Sequence, residues 1–289
     1  MIPVIERIES AGGERFARDY QPVWEARLEA MGFRLTTGRL PVFLTIDETP
    51  ASAQRLARTH LPHLTSALHK ALARSLEVPT SRDRLMASLQ NTQVVRLLDV
   101  GRVPRAADLM GRYDTFLERH GEWLVPRVVE ANFNNVEGSL HQHLALGGAQ
   151  DLASELGLSI PVSSPTPLQQ LWGWLLRRYR AHRTAPEAPT IGIAWNPGHI
   201  VKETELPAAA EWFRRWSHGT GINVVTGDVR SLERAPRGWV LDGHDIDLLW
   251  KNTGPLYPDG LDKMPFVHLP RTDPAELVVL NDIVGRLLG

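Results

Sequence analysis

Residues 190–250 place the tightest constraint on the fold. "TIGIAW" is a short unbroken apolar run, the type of strand that is covered on both faces. The turn "NPGH" follows it, then "ELPAAAEWFRRWSHGTG", a helix ending in glycine, then "INVVTGDV", a second strand. A strand–helix–strand succession is the building unit of layered α/β folds. "GWVLDGHDIDLLWKN" adds a strand, a turn and a further strand. The segment therefore predicts an α/β unit.

The first hundred residues have a different texture and predict a mainly helical subdomain, 1–105. "ERFARDYQPVWEARLEAM" sets Phe16, Tyr20, Val23, Trp24, Leu28 and Met31 at helical spacing, with Gly32 as a C-terminal stop. "RLPVFLTIDETP" reads as a short strand and a turn. Residues 52–77 read as a long helix that contains Pro62, and "SRDRLMASLQNTQVVRLL" as another. Beyond the hairpin described next, "AQDLASELGL" predicts a short helix after a polar loop. "LQQLWGWLLRRYRAHR" predicts a helix with a wide aromatic face.

Between these regions "GRYDTFLERHGEWLVPRVVEANFN" alternates like a β-hairpin turning at His120–Gly121, with Pro126 marking a bulge or a weak stretch of strand. Side chains two apart on a strand share a face. Arg112 and Asp114 share one, and so do Glu130 and Asn132 on the partner strand. If the turn pairs the strands, the four converge on one patch. Two carboxylates, an amide and an arginine are costly to bury unpaired. They can satisfy one another as an arginine–carboxylate network. Alternatively their oxygens can hold Mg²⁺, a hard cation that takes carboxylate and amide oxygens.

The turn "NNVEGSLHQH" follows. Asn134 and Asn135 tolerate left-handed backbone, and Gly138 and Ser139 can present N–H and O–H donors to an anion. His141 and His143, two apart, point away from each other on a helix, and His60, His63 and His69 lack a partner carboxylate motif. A two-histidine metal site is therefore not expected at His141 and His143, and His60, His63 and His69 read as surface or packing residues. Basic residues are almost all arginine, so Lys251, at the end of the strand "DIDLLWKN", stands out as a candidate for binding an anionic group. "TIGIAWNPGH" ends in a glycine turn before a helix but lacks a GxGxxG fingerprint.

The rest of the composition narrows the chemistry by exclusion. A chain of 289 residues without cysteine has no disulfide, thiolate nucleophile or Cys-ligated zinc or iron–sulfur site. A formal net charge of −1 gives no global field for nucleic acid or anionic lipid. No apolar run reaches the roughly 18 residues of a membrane span. "MIPVIERIESAGGERF" lacks a signal-peptide core, so a cytoplasmic location is expected. No G-x-S-x-G elbow, H-E-x-x-H or Walker A loop is present.

In order, "RYD", "EAN", "GSL" and "WKNT" resemble motifs of the glutathionylspermidine synthase family and related circularly permuted ATP-grasp ligases. The resemblance spans roughly residues 95–289, with "NNVE" where the family turn carries an aspartate and a proline. It implies a pre-ATP-grasp, Rossmann-like α/β region over 106–289, with the ligand hairpin at 111–140. It implies that Asp114, Glu130 and Asn132 hold Mg²⁺ and that Arg112 contacts an acyl phosphate. Asn134, Asn135, Gly138 and Ser139 would then face substrate, and Lys251 the nucleotide. The implied activity is ATP-dependent joining of a small-molecule carboxylate to an amine. The sequence stops before the N-K motif that leads into the nucleotide clamp of such ligases. The chain is therefore expected to be the front part of a longer ligase and, alone, to lack the main adenine-binding elements. The alternative is a non-catalytic substrate-binding module partnering a separate nucleotide-binding subunit. A nucleotide- or sugar-binding Rossmann-like enzyme of another class is the third reading.

Overall fold

The computed structural model describes residues 13–30, 51–88, 112–121, 123–132, 138–155, 157, 165–180, 188–195, 200–235, 238–252 and 267–268. The chain begins with helices α1 (Gly13–Ala30), α2 (Ala51–Glu77) and α3 (Pro79–Ser88), then strands β1 (Arg112–His120) and β2 (Trp123–Asn132). Helices α4 (Ser139–Glu155) and α5 (Pro167–Arg180) follow. The α/β unit then runs β3 (Thr190–Trp195), α6 (Ile200–Ser217), β4 (Asn223–Asp228), β5 (Leu232–Ala235), β6 (Gly238–Leu241), β7 (His244–Ile246), β8 (Leu248–Asn252) and β9 (Val267–His268). The strand expected within 39–50 and the domain boundary expected near 105 lie outside the described residues, as does the second half of the helix expected at 81–98.

The α/β unit forms as the sequence suggests. β3 and β8 are the inner strands: β3 is parallel to β4 on one side and to β8 on the other, and β9 runs antiparallel along β8. The side chains of β3 divide by parity. Ile191 and Ile193 point into a core shared with α1, α4, α5 and α6. Ala194 points to the opposite face, where Leu232, Trp239, Leu241 and Ile246 of the antiparallel sheet β5–β6–β7 cover it. The result is three layers: helices, parallel sheet, small antiparallel sheet. Gly192 is required at this second interface, because a Cβ there would lie 3.0 Å from two atoms of Ile246.

The single strand expected after "LDGH" is divided. Asp242 and Gly243 both take positive φ (47° and 78°), the pattern of a type I′ hairpin turn, and return the chain as β7 beside β6. At Asp247 the chain leaves that sheet and enters the parallel one as β8. Asp247 fastens the crossing twice: its N–H donates to the Thr190 carbonyl at 2.9 Å, and its Oδ2 accepts from the Thr190 N–H at 2.9 Å.

Two helices are longer than their sequence signals. α4 starts at Ser139, ten residues before the expected "AQDLASELGL", because Leu140, Leu144 and Ala149 form a buried stripe through the supposed polar loop. Gly148 fits α1 against that stripe: a Cβ there would lie 2.8 Å from the Trp24 ring. α6 starts at Ile200, so Pro207 is interior rather than a first-turn residue. α5 opens with Thr166, whose N–H donates to Gln169 Oε1 at 2.8 Å, while Thr166 Oγ1 accepts from the Gln169 N–H at 3.4 Å. With Pro167 at the first helical position, this is a capping box. Among the described residues no helix is long and apolar enough to cross a membrane.

Candidate functional site

The expected hairpin is present, turning at Gly121 (φ 62°), and its register decides which residues meet. From the turn, His120 stands opposite Trp123 and Thr115 opposite Val128. Continued without interruption, that register would set Asp114 against Val129 and Arg112 against Ala131. A β-bulge between Asp114 and Thr115 shifts it by one residue, so Asp114 stands opposite Glu130 and Arg112 opposite Asn132. The extra residue on β2 is Val129, which is left 58% exposed. Pro126 is not the bulge: it pairs opposite Leu117 within the regular ladder. The irregularity comes three residues later, at Val129, and brings the four candidate positions onto one end of one face.

Arg112 forks onto Asp114, with Nε to Oδ1 at 2.7 Å and Nη2 to Oδ2 at 3.2 Å. A planar guanidinium matched to a carboxylate in this way is geometrically specific. The side chains are about one-third exposed (32% and 36%), so the pair borders solvent. The other hairpin face rests on α2, where the Tyr113 hydroxyl meets Thr65 Oγ1 at 2.7 Å. Burial pushes the Tyr113 pKa above its ordinary 10.0 against the opposing effect of that bond. Toward the turn, Arg127 Nε donates to Glu118 Oε2 at 2.5 Å, and this bond, with His120 adding to it, holds the Glu118 pKa down.

The described face continues from Arg112 to the start of α4. Gly138 takes φ 87°, and a Cβ on it would lie 3.6 Å from Arg112 Nη1, so the guanidinium rests against this glycine. The Gly138 carbonyl accepts the first helical bond, from Gln142 N–H at 2.9 Å, which makes Gly138 the N-cap of α4. Glycine has no capping oxygen. Glu205 of α6 supplies it: Oε1 accepts from the Gly138 N–H at 2.8 Å and from the Leu140 N–H at 3.3 Å. The Gly138 amide is thus engaged by a carboxylate of the protein itself. Ser139 is buried at the first position of α4.

Sequence reasoning passed over Glu205, although a signal was there. Glu205, Leu206, Ala209, Ala210, Phe213 and Ser217 are all buried, and their spacing is that of one helix face. His143, which the spacing argues against as half of a two-histidine metal site, is a packing residue. Its ring sits edge-on to Trp212 (4.6 Å between centroids) and Trp216 (5.6 Å), with Nδ1 at 2.8 Å from Thr166 Oγ1. Burial lowers its pKa below the ordinary 6.5. His60 and His63 are exposed on α2.

Asn134 and Asn135 lie outside the described residues, as do the side chains of Glu130, Asn132 and Lys251. Lys251 occupies the β8 position opposite Ala194 of β3. Among the described residues no group of three or more His, Asp or Glu side chains could hold a metal ion. The backbone register aligns Asp114, Glu130 and Asn132 as hard oxygen donors, the kind magnesium takes. In chemical type these residues fit that ion, and an ion on Asp114 would share its carboxylate with Arg112.

No family model and no curated protein matches the sequence. Among solved structures the fold is similar to a glutathione synthetase-like effector (GSS30) from Globodera pallida, solved in its apo form. The identity is 13% and the TM-score 0.54; the match covers 82% of this chain and 57% of that one. The chain thus spans little more than half the length of this structural relative. The likeness is one of α/β fold.

Proposed function

We propose that the chain carries the carboxylate-activating site of an ATP-dependent carboxylate–amine ligase. The observation that supports this best is the bulge-set register, which stands Arg112 and Asp114 opposite Asn132 and Glu130 beside the start of α4. The fold likeness to a glutathione synthetase-like protein agrees with it.

In the proposed reaction a carboxylate oxygen of the substrate attacks the γ-phosphorus of ATP and ADP departs, leaving an acyl phosphate. The amine nitrogen then attacks the acyl carbon and loses a proton, and inorganic phosphate leaves. Arg112 would meet the phosphoryl oxygens, where a preset cation stabilises developing negative charge. Its fork on Asp114 fixes the guanidinium plane in advance, so little rotamer freedom remains to be lost. Asp114, Glu130 and Asn132 would hold Mg²⁺, which when bound offsets charge on the transferring phosphoryl group. The turn with Asn134 and Asn135 would face the substrate, and Lys251 an anionic group of the nucleotide. No covalent nucleophile is needed, in keeping with a chain that has no cysteine.

A panel of amines and carboxylates scored by Mg²⁺-dependent ADP release, with the nucleotide clamp supplied on the same polypeptide or by a partner subunit, tests the reading. Activity is expected with at least one pair, and Glu130→Ala or Asp114→Ala is expected to reduce it by about 10²-fold or more. Full activity in Glu130→Ala would overturn the metal assignment.

A further inference from the structure

Glu205 has a buried carboxylate inside a helix. It is 5% exposed and sits on the α6 face that also buries Leu206, Ala209 and Phe213. Burying a carboxylate among apolar neighbours is costly unless hydrogen bonds compensate it. Here the compensation comes from another element, namely the Gly138 and Leu140 N–H groups at the start of α4. A negative charge at that end also complements the helix dipole. Gly138 can accept this arrangement because it has no side chain. Its φ of 87° disfavours other residues, and the Arg112 guanidinium occupies the space beside it. One glycine therefore touches both sides: its amide is held by Glu205 from α6, and its open flank seats Arg112 from β1.

We infer that Glu205 is a positioning residue for the candidate site. By fixing the first turn of α4 it fixes where Arg112 rests. It need not touch substrate, metal or nucleotide. The inference rests on the ligase reading for its catalytic consequence, and on the α6–α4 hydrogen bonds and the approach of Arg112 to Gly138 for its structural part. Glutamine keeps the shape of Glu205 but lacks the charge, and charge-assisted bonds are roughly twice as strong as neutral ones.

The test uses the full protein with Glu205→Gln, and with Glu205→Ala where that variant folds. Circular dichroism and a thermal melt first establish that the glutamine variant is folded at the assay temperature. Hydrogen–deuterium exchange is then expected to accelerate about tenfold at amides 138–140 and, through Arg112, at 112–114. In ADP release, kcat is expected to fall about ten- to a hundredfold with the KM for ATP changed less than about twofold. A merely structural cap would accelerate exchange at 138–140 alone and leave kcat per folded molecule at the wild-type value, which overturns the inference. Unchanged exchange at both segments, or a variant that cannot fold even as glutamine, overturns it as well. A wild type that releases no ADP with any pair refutes the ligase reading instead. The exchange result at 112–114 then decides by itself whether Glu205 positions Arg112.

Discussion

Gly138 shows how much one residue can settle. At φ 87° a β-carbon is strained whatever the space around it, and here the space is bordered by Arg112. Gly138→Ala is expected to destabilise the fold by about 1–3 kcal/mol, the usual cost of a non-glycine residue held in such a region. Urea unfolding measures it. His143 carries a second prediction. Burial depresses its pKa, so the unfolded chain takes up a proton at a pH where the folded ring stays neutral. The contribution of the neutral ring is complete above 6.5 and declines as pH falls below it. Melts recorded across that range should show His143→Gln with a shallower loss of stability on acidification than the wild type. At this scale the sequence was readable wherever side-chain type mattered more than partner. Strand parity alone grouped Arg112 with Asp114 and Glu130 with Asn132, while the bulge that stands the two pairs opposite each other left no separate signal. Glu205 was not, because a glutamate in a helix is ordinarily solvated and only its place on the buried stripe marks it as different.

The elements were legible in type and less so in extent. A helix with polar residues on most of its surface still forms when one stripe is covered, as α4 shows with Leu140 and Leu144 beneath "SLHQHLALGG". Its glycine pair looks like a break in one dimension. In three dimensions Gly148 is the notch that receives Trp24, itself 1% exposed. Gly148→Ala should drive a methyl into that ring and destabilise the protein by about 1–3 kcal/mol. Thermal unfolding gives the size, and the near-ultraviolet circular dichroism of the tryptophans reports whether α1 has shifted. The division of "HDIDLLWKN" into β7 and β8 was hidden for another reason. Asp247 alternates like its neighbours, and only its two bonds to Thr190 reveal that the chain changes sheets there.

At the scale of the whole molecule, the layer order follows from parity along β3. Ile191 and Ile193 need helices, Gly192 and Ala194 need a thin second cover, and the α/β class was readable from "TIGIAW" onward. The small antiparallel sheet was not, since its short strands carry little periodic signal. The magnesium reading makes a claim on global stability. A ligand bound only by the folded state adds RT ln(1 + [L]/Kd), roughly 1.4 kcal/mol at ten times Kd. Millimolar MgCl₂ should raise the melting temperature of the wild type by a few degrees and that of Glu130→Ala by much less. Equal shifts in the two proteins would remove the ion from this face.

The bulge at Val129 gives the hairpin a phase. Toward the turn the strands follow one pairing frame, and past the bulge they follow another. Residues added or lost in matched pairs, one per strand, would lengthen or shorten the tip and leave Asp114 across from Glu130. A single unmatched deletion on β2 before Glu130 would absorb the bulge and still leave Asp114 across from Glu130, whereas a single insertion there would demand a second extra residue or slip the frame. Related chains that keep this site should therefore vary freely in the reach of the ribbon, and where the bulge is lost β2 should be shorter by that one residue.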